Sequence, residues 1–210
     1  MTKYDAKRRF GALSLVMAWS TNQAKVDTKV MHEVFGHSFR VGLINHRLAE
    51  ASGDLNPFEA CEAGFLHDFG KFLVPADLIL APRKLNDEEF NEIKQHSPRG
   101  ADWLMAMSPG EPGVENLQVQ AARYHHEKWD GTGYHGLAGD DIPLIAQYVA
   151  FADQLDALRS SRIYRPAWSH SKIRDFIDKH IGRSWSPRVT LLGRSLLKEI
   201  FELVDYAESI

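Results

Sequence analysis

The stretch Pro143-Leu-Ile-Ala-Gln-Tyr-Val-Ala-Phe-Ala-Asp153-Gln-Leu-Asp156-Ala-Leu158 decides the fold class. Leu144, Ile145, Tyr148, Val149, Ala150, Phe151, Ala152, Leu155 and Leu158 surround a helix drawn through it. A helix that is apolar nearly all round is normally buried. Asp153 and Asp156 lie inside this apolar segment, where a carboxylate is costly unless it is paired or binds metal. Taken alone, Asp153 is open to both readings: a metal ligand, or an acid satisfied by an arginine or a helix cap.

Outward from this segment, helical periodicity dominates the chain. A first helix is predicted over residues 4–20. Asp27 caps a second, which runs to about residue 51 before Ser52-Gly53-Asp54 breaks it. Asn56, with Pro57 at the first helical position, starts a third. It ends at His67-Asp68-Phe69-Gly70, with Gly70 expected in the left-handed C-terminal position. Asn86 and Glu89 resemble a capping box at the start of a further helix. Pro109-Gly110-Glu111-Pro112-Gly113 reads as a surface loop, and Asp130-Gly131-Thr132-Gly133-Tyr134-His135-Gly136 as a glycine-rich one. Other helices are predicted over residues 115–124, 169–181 and 187–207, with Gly182 ending the penultimate one. Strand signals are nearly absent. The expectation is an all-α protein, with a domain over residues 26–210 and a somewhat detachable helix within residues 1–25. The apolar side chains of that helix (Phe10, Leu13, Leu15, Val16, Trp19) suit packing in a homodimer or against its own domain.

The 210 residues are 44% hydrophobic and 25% charged, enough to bury a core without staples. The net charge of −3 gives no support to a general DNA or membrane-surface binder. A single cysteine, Cys61, and no apolar stretch long enough to span a bilayer suit a cytoplasmic protein. Histidine is the outlier, with ten in the chain and several inside apolar runs. Such a set accompanied by acids points to metal.

Glu33 and His37 share one face of a helix, four residues apart. His67 and Asp68 are adjacent at a helix end, His96 falls on the inward stripe of its helix, and His125 and His126 are adjacent. With Asp153 these make five imidazoles and three carboxylates, more than one ion can accept. Nitrogen and oxygen ligands without thiolate favour iron or manganese, and zinc also fits. Closely spaced ions sharing a carboxylate suit hydrolysis of a phosphodiester. His32, His46, His170 and His180 read as ordinary surface or boundary residues. Trp19, Trp103, Trp168 and Trp185 read as core or interface, and Cys61 as a small buried side chain.

The order of these motifs resembles the HD-GYP family. The resemblance rests on His67-Asp68-x-Gly70-Lys71, on His96 and Gly100, and on Ala122-Arg-Tyr-His-His-Glu-Lys-Trp-Asp-Gly-Thr-Gly-Tyr134. It continues through Ile142-Pro143, Ala152-Asp153, Asp156-Ala-Leu158, Ser161-Arg162 and Tyr164-Arg165. It implies a single HD-type helical bundle enclosing a multinuclear metal site, and cyclic di-GMP as substrate. It further implies that His37, His67, Asp68 and Asp153 hold one ion. Asp68 would bridge to a second held by His96, His125 and His126, and Glu33 would help hold a third in some members. Lys71 would contact the scissile phosphate, Arg162 and Arg165 the ligand, and Tyr134 would lie in the loop beside the pocket. The loop over residues 131–136 would also meet a protein partner. Three departures stand out: His135 where the motif has proline, Pro82-Arg83 for Pro-Gly, and Trp185-Ser186-Pro187 for Phe-Asp-Pro.

Overall fold

The computed structural model describes residues 27–107, 115–160 and 166–208. The predicted helix over residues 4–20, the loop at Pro109 and the arginines Arg162 and Arg165 lie outside the described residues.

Helix α1 (Thr28–Ser52) begins where the Asp27 carboxylate accepts the Lys29 N–H and ends at Gly53, whose φ of 72° suits glycine. Helix α2 (Pro57–Leu66) begins under the Asn56 side chain, which accepts the N–H groups of Phe58 and Glu59. The two helices pack nearly backbone to backbone. A Cβ on Gly64 would come 3.1 Å from the Gly42 Cα and 2.5 Å from Asn45 Nδ2. This close approach sets the end of α2, with His67 and Asp68, beside the His37 turn of α1.

The chain does not stop at Gly70 with a left-handed residue. It continues as a 3-10 turn, Phe69–Leu73, and Gly70 is absent from the positive-φ glycines. Glycine is needed there for space: a Cβ would lie 1.8 Å from the His96 carbonyl oxygen. The same crossing brings Gly100 against Gly70 and seats Asp68 under His96.

After a short helix α3 (Ala76–Ile79), α4 (Asp87–Lys94) carries the complete Asn86–Glu89 capping box. The predicted helix breaks at Gln95, and α5 (His96–Met107) starts afresh. Pro98 explains the break, since it has no N–H for the Lys94 carbonyl. Helix α6 (Leu117–Tyr124) follows an Asn116 cap, and a 3-10 turn (Gly139–Asp141) leads to α7 (Leu144–Arg159). Helix α7 is the buried helix that its sequence predicts: Ile145, Tyr148, Val149, Phe151, Ala152 and Leu155 are each at most 2% exposed.

Helix α8 (His170–His180) is capped by Ser169 and closed by Gly182 and a single bridge between Ile181 and Trp185. The last predicted helix is two: α9 (Pro187–Ser195) and α10 (Leu197–Glu208), bent at Leu196. Gly193 presses on the Phe151 ring, where a Cβ would come within 2.2 Å, so α9 packs on α7. The bend then lets α10 lay Leu197, Ile200, Phe201 and Val204 into the same core. No strands occur among the described residues. No helix among them is long and apolar enough to cross a membrane.

Two apolar clusters flank the functional residues. The larger joins α1, α2 and α7–α10. The smaller, with Phe65, Phe69, Leu104, Val119 and the partly buried Phe35 and Trp103, underlies α2, α5 and α6. Trp103 stacks on Phe69 at 4.2 Å, and Trp185 is 5% exposed, so these tryptophans are packing residues. Cys61 is buried, as expected.

Candidate metal centre

Five elements deliver the polar residues to one place. Helix α1 brings His37, the end of α2 brings His67 and Asp68, α5 opens with His96, α6 ends at His125 and His126, and α7 brings Asp153. Three overlapping groups have ligand atoms within 4.8 Å of one another: His96, His125 and His126; His37, His67 and Asp153; and His67, Asp68 and His125. The sequence reading named all of these residues. Glu33 is exposed and belongs to none of the groups.

Asp68 stands between the two halves. Its Oδ2 faces His37 Nε2 at 3.6 Å and His67 Nε2 at 3.4 Å. Its Oδ1 faces His96 Nε2 at 3.3 Å and His125 Nε2 at 3.7 Å. Each oxygen is thus turned to a different set of imidazoles. Lys71 Nζ also pairs with Oδ2. Burial alone would raise the Asp68 pKa, but Lys71, His67 and His96 hold it well below the usual carboxylate range.

The backbone fixes the histidine tautomers. Nδ1 of His67 donates to Gly64 O at 2.6 Å, and Nδ1 of His96 to Ile93 O at 2.6 Å. Nδ1 of His125 donates to the carbonyls of Ala121 and Ala122 at 3.0 Å. A carbonyl can only accept, so Nδ1 carries the proton and Nε2 is bare in each neutral ring. These bare nitrogens converge: His96 Nε2 lies 3.3 Å from His125 Nε2 and 3.2 Å from His126 Nε2. Burial lowers the pKa of His96 and His125, and takes His126 down to about 3, so protons do not relieve the crowding. His67 Nε2 is buried without a hydrogen-bond partner. Lone pairs converging in an apolar setting fit a divalent cation.

The other half differs. His37 Nε2 lies 3.1 Å from Asp153 Oδ1, and its Nδ1 lies 2.8 Å from Asp156 Oδ2. Burial opposes charge on His37, yet hydrogen bonds to Asp153 and Asp156 and the nearby Asp68 push its pKa up to about 9. Asp156 is held in turn by Arg40, whose Nε donates at 2.7 Å and Nη2 at 3.0 Å. The two acids of α7 therefore divide between the two readings of the sequence: the buried Asp156 is satisfied by an arginine, while the partly exposed Asp153 faces the histidines. Asp153 keeps 24% and Lys71 28% of side-chain exposure, whereas His67, His96 and His125 keep at most 1%. The cleft opens on the Asp153–Lys71 side.

Tyr134 sits beside the centre, its ring 4.5 Å from the His126 ring, and Lys94 Nζ lies 5.4 Å from the Tyr134 ring centroid. The exposed His135 turns its ring to Tyr124 at 5.6 Å. Sequence reasoning missed the roles of Asp156, Arg40, Glu127 and Lys94. Arg40 lies three residues after His37 and Asp156 three after Asp153, one turn along each helix, and that spacing is the signal that could have paired them.

The HD domain family matches residues 41–186. A cyclic di-GMP phosphodiesterase of Vibrio cholerae serotype O1 is 43% identical over 128 residues, 59% of this chain and 26% of that protein. The 3'3'-cGAMP-specific phosphodiesterase 2 of the same organism is 35% identical over 164 residues, 76% of this chain and 31% of that protein. Among solved structures, Bd1817, an HDG"Y"P protein from Bdellovibrio bacteriovorus, shares the fold with a TM-score of 0.60 at 21% identity, over 79% of this chain and 52% of that one. The chain spans less than half the length of the curated relatives it matches. On the family match and on the order of its His and Asp motifs, this chain belongs to the HD domain family, in its HD-GYP branch.

Proposed function

We propose that this chain is a metal-dependent phosphodiesterase that opens cyclic di-GMP to the linear dinucleotide. The observation that carries the reading is Asp68: a buried carboxylate with one oxygen turned to each of two convergent sets of imidazole nitrogens. His37, His67, Asp68 and Asp153 would hold one ion, and Asp68, His96, His125 and His126 a second. All-nitrogen-and-oxygen ligation favours iron or manganese, with zinc also compatible. Bound ions supply a nucleophile active at neutral pH and neutralise phosphate charge.

The chain's own groups complete the site. Lys71, paired with Asp68 at the open edge, would take a phosphate oxygen as substrate enters. Tyr134 offers a flat wall beside His126, suited to a base or ribose. Arg162 and Arg165 are assigned to ligand phosphate by motif alone, and the loop over residues 131–136 to a protein partner on the same ground.

A second reading has its own support. Relatives named for cyclic di-GMP and for 3'3'-cGAMP are similar to this chain at 43% and 35% identity, so the preferred dinucleotide is a choice between close chemistries. The test is metal analysis of anaerobically purified protein, reconstituted with iron or manganese, followed by hydrolysis assays on several cyclic dinucleotides. Two ions per chain and conversion of cyclic di-GMP to the linear form support the proposal. Faster turnover of 3'3'-cGAMP shifts the substrate, and no turnover with two ions bound favours a binding or regulatory protein.

A further inference from the structure

Glu127 is 3% exposed and follows the His125-His126 pair directly. It lies in none of the convergent ligand sets. Both its oxygens go instead to the glycine-rich loop: Oε1 accepts the His135 N–H at 2.7 Å and Oε2 the Leu137 N–H at 2.8 Å. The loop is pressed flush against it. A Cβ on Gly133 would lie 2.5 Å from the Glu127 Cα and 2.9 Å from its Oε1. Gly133 and His135 bracket Tyr134, so of the residues on either side of that tyrosine one is packed against Glu127 and the other is hydrogen-bonded to its carboxylate. Tyr134 is thereby held with its ring on His126.

The bond to residue 135 bears on the departure from the family motif. Proline at this position would fix φ but would have no N–H to give. Histidine gives up the fixed φ and supplies the donor. In this chain the loop is held by a hydrogen bond to an ionisable side chain, a type stronger than a neutral pair.

We infer that Glu127 is a positioning residue that holds Tyr134 against the metal centre through the backbone N–H groups of residues 135 and 137, and that the histidine at 135 serves this bond through its main chain. The inference rests on the phosphodiesterase reading for its kinetic consequence, and on geometry alone for its consequence for loop order.

The first experiment therefore needs no substrate. Hydrogen exchange of the metal-loaded protein should show slow exchange at the amides of His135 and Leu137. Glu127→Gln keeps the shape but turns an NH2 group toward one of the two donors, and should speed exchange at one or both amides at least about tenfold, as for loss of a bond to a charged group. His135→Ala keeps the main-chain donor and should leave the Leu137 amide protected. His135→Pro removes the donor and should speed Leu137 exchange, although it restores the family motif. The second experiment is a KM and kcat series on cyclic di-GMP with metal content measured throughout. Glu127→Gln should raise KM about tenfold with the metal count unchanged. The same substitution in a Tyr134→Ala background should add less than twofold, because its effect passes through the tyrosine. Unchanged exchange at both amides in Glu127→Gln overturns the inference, as does a KM effect of equal size with and without Tyr134. Parent protein that turns over no cyclic dinucleotide defeats the phosphodiesterase reading and leaves the exchange result to decide the inference.

Discussion

The two halves of the centre are built on opposite plans. The His96, His125 and His126 half is nitrogen only apart from the shared Asp68 and is the more closed, with only His126 of the three partly exposed; main-chain carbonyls fix the tautomers of His96 and His125. The His37, His67 and Asp153 half is mixed, partly open, and its His37 is set by another side chain, Asp156, with Arg40 behind it. A closed half tuned by backbone resists variation, because no single substitution removes a carbonyl. An open half tuned by side chains is adjustable, and it shares its open edge with Lys71. Under the proposed function, the first half would mainly retain an ion, and the second, with Lys71, would supply much of the contact with substrate, Tyr134 lying beside His126 of the first.

The largest effect should come from the residue common to both halves. Asp68→Ala should lower kcat/KM by at least about a thousandfold, the scale of losing several kcal/mol of charge stabilisation. Circular dichroism should report an intact helical fold, because the apolar clusters do not depend on Asp68. Activity within tenfold of the parent would show that the halves work independently.

Next come substitutions that split the pair. His125→Ala and Asp153→Ala should each leave about one ion of two by elemental analysis. The closed half should retain its ion in Asp153→Ala through dialysis against a weak chelator that strips the remaining ion from His125→Ala. Equal loss from the two variants would mean that burial does not separate the sites.

A smaller effect is expected at Asp156, which touches His37 on its far nitrogen. Asp156→Asn weakens the acceptor for His37 Nδ1 and for Arg40 together. Loss of such an orienting partner typically costs 10–100-fold in metal affinity. Titration should show that weakening for one ion and not for the other. Weakening of both would mean that Asp156 supports the fold at large rather than the open half.

Much of this was legible in the sequence, for identifiable reasons. The clustering of His37, His67, Asp68, His96, His125, His126 and Asp153 was readable because histidine and aspartate stand out inside apolar helices, and because the motifs occur in order. Helix α7 was readable because its apolar residues surround it. What could not be read was tertiary. Gly70 suggested a left-handed end, since nothing in the sequence says that α5 crosses there and needs the space. The break before His96 had a local cause in Pro98, yet the contact made there, His96 Nδ1 on the Ile93 carbonyl, is visible only in three dimensions. Glu127 was hidden because its partners are main-chain donors, which every residue except proline has. The separation of Asp153 from Asp156 depended on Arg40, more than a hundred residues away in the chain.

The smallest expected effect concerns Glu33, and it tests whether the centre has two halves or three. The family resemblance gives this position to a third ion, and its spacing puts it one turn before His37 on α1. In the folded chain Glu33 is exposed, and it joins none of the convergent groups. An ion held there would draw its remaining ligands from water and substrate, so it would bind weakly and exchange quickly. Glu33→Gln should accordingly leave two ions after dialysis and change kcat/KM on cyclic di-GMP by less than about threefold, the scale of an exposed charge. Its influence, if it reaches the chemistry, should appear in the second hydrolysis, where the linear dinucleotide carries an extra terminal phosphate charge. The decisive measurement is the ratio of linear dinucleotide to GMP with time, at low and at saturating manganese. An unchanged ratio at both concentrations makes Glu33 a solvated acid and the centre a pair. A ratio that shifts only at saturating metal, or a stable loss of one ion, would add a third site to the open half and deepen the asymmetry between the halves.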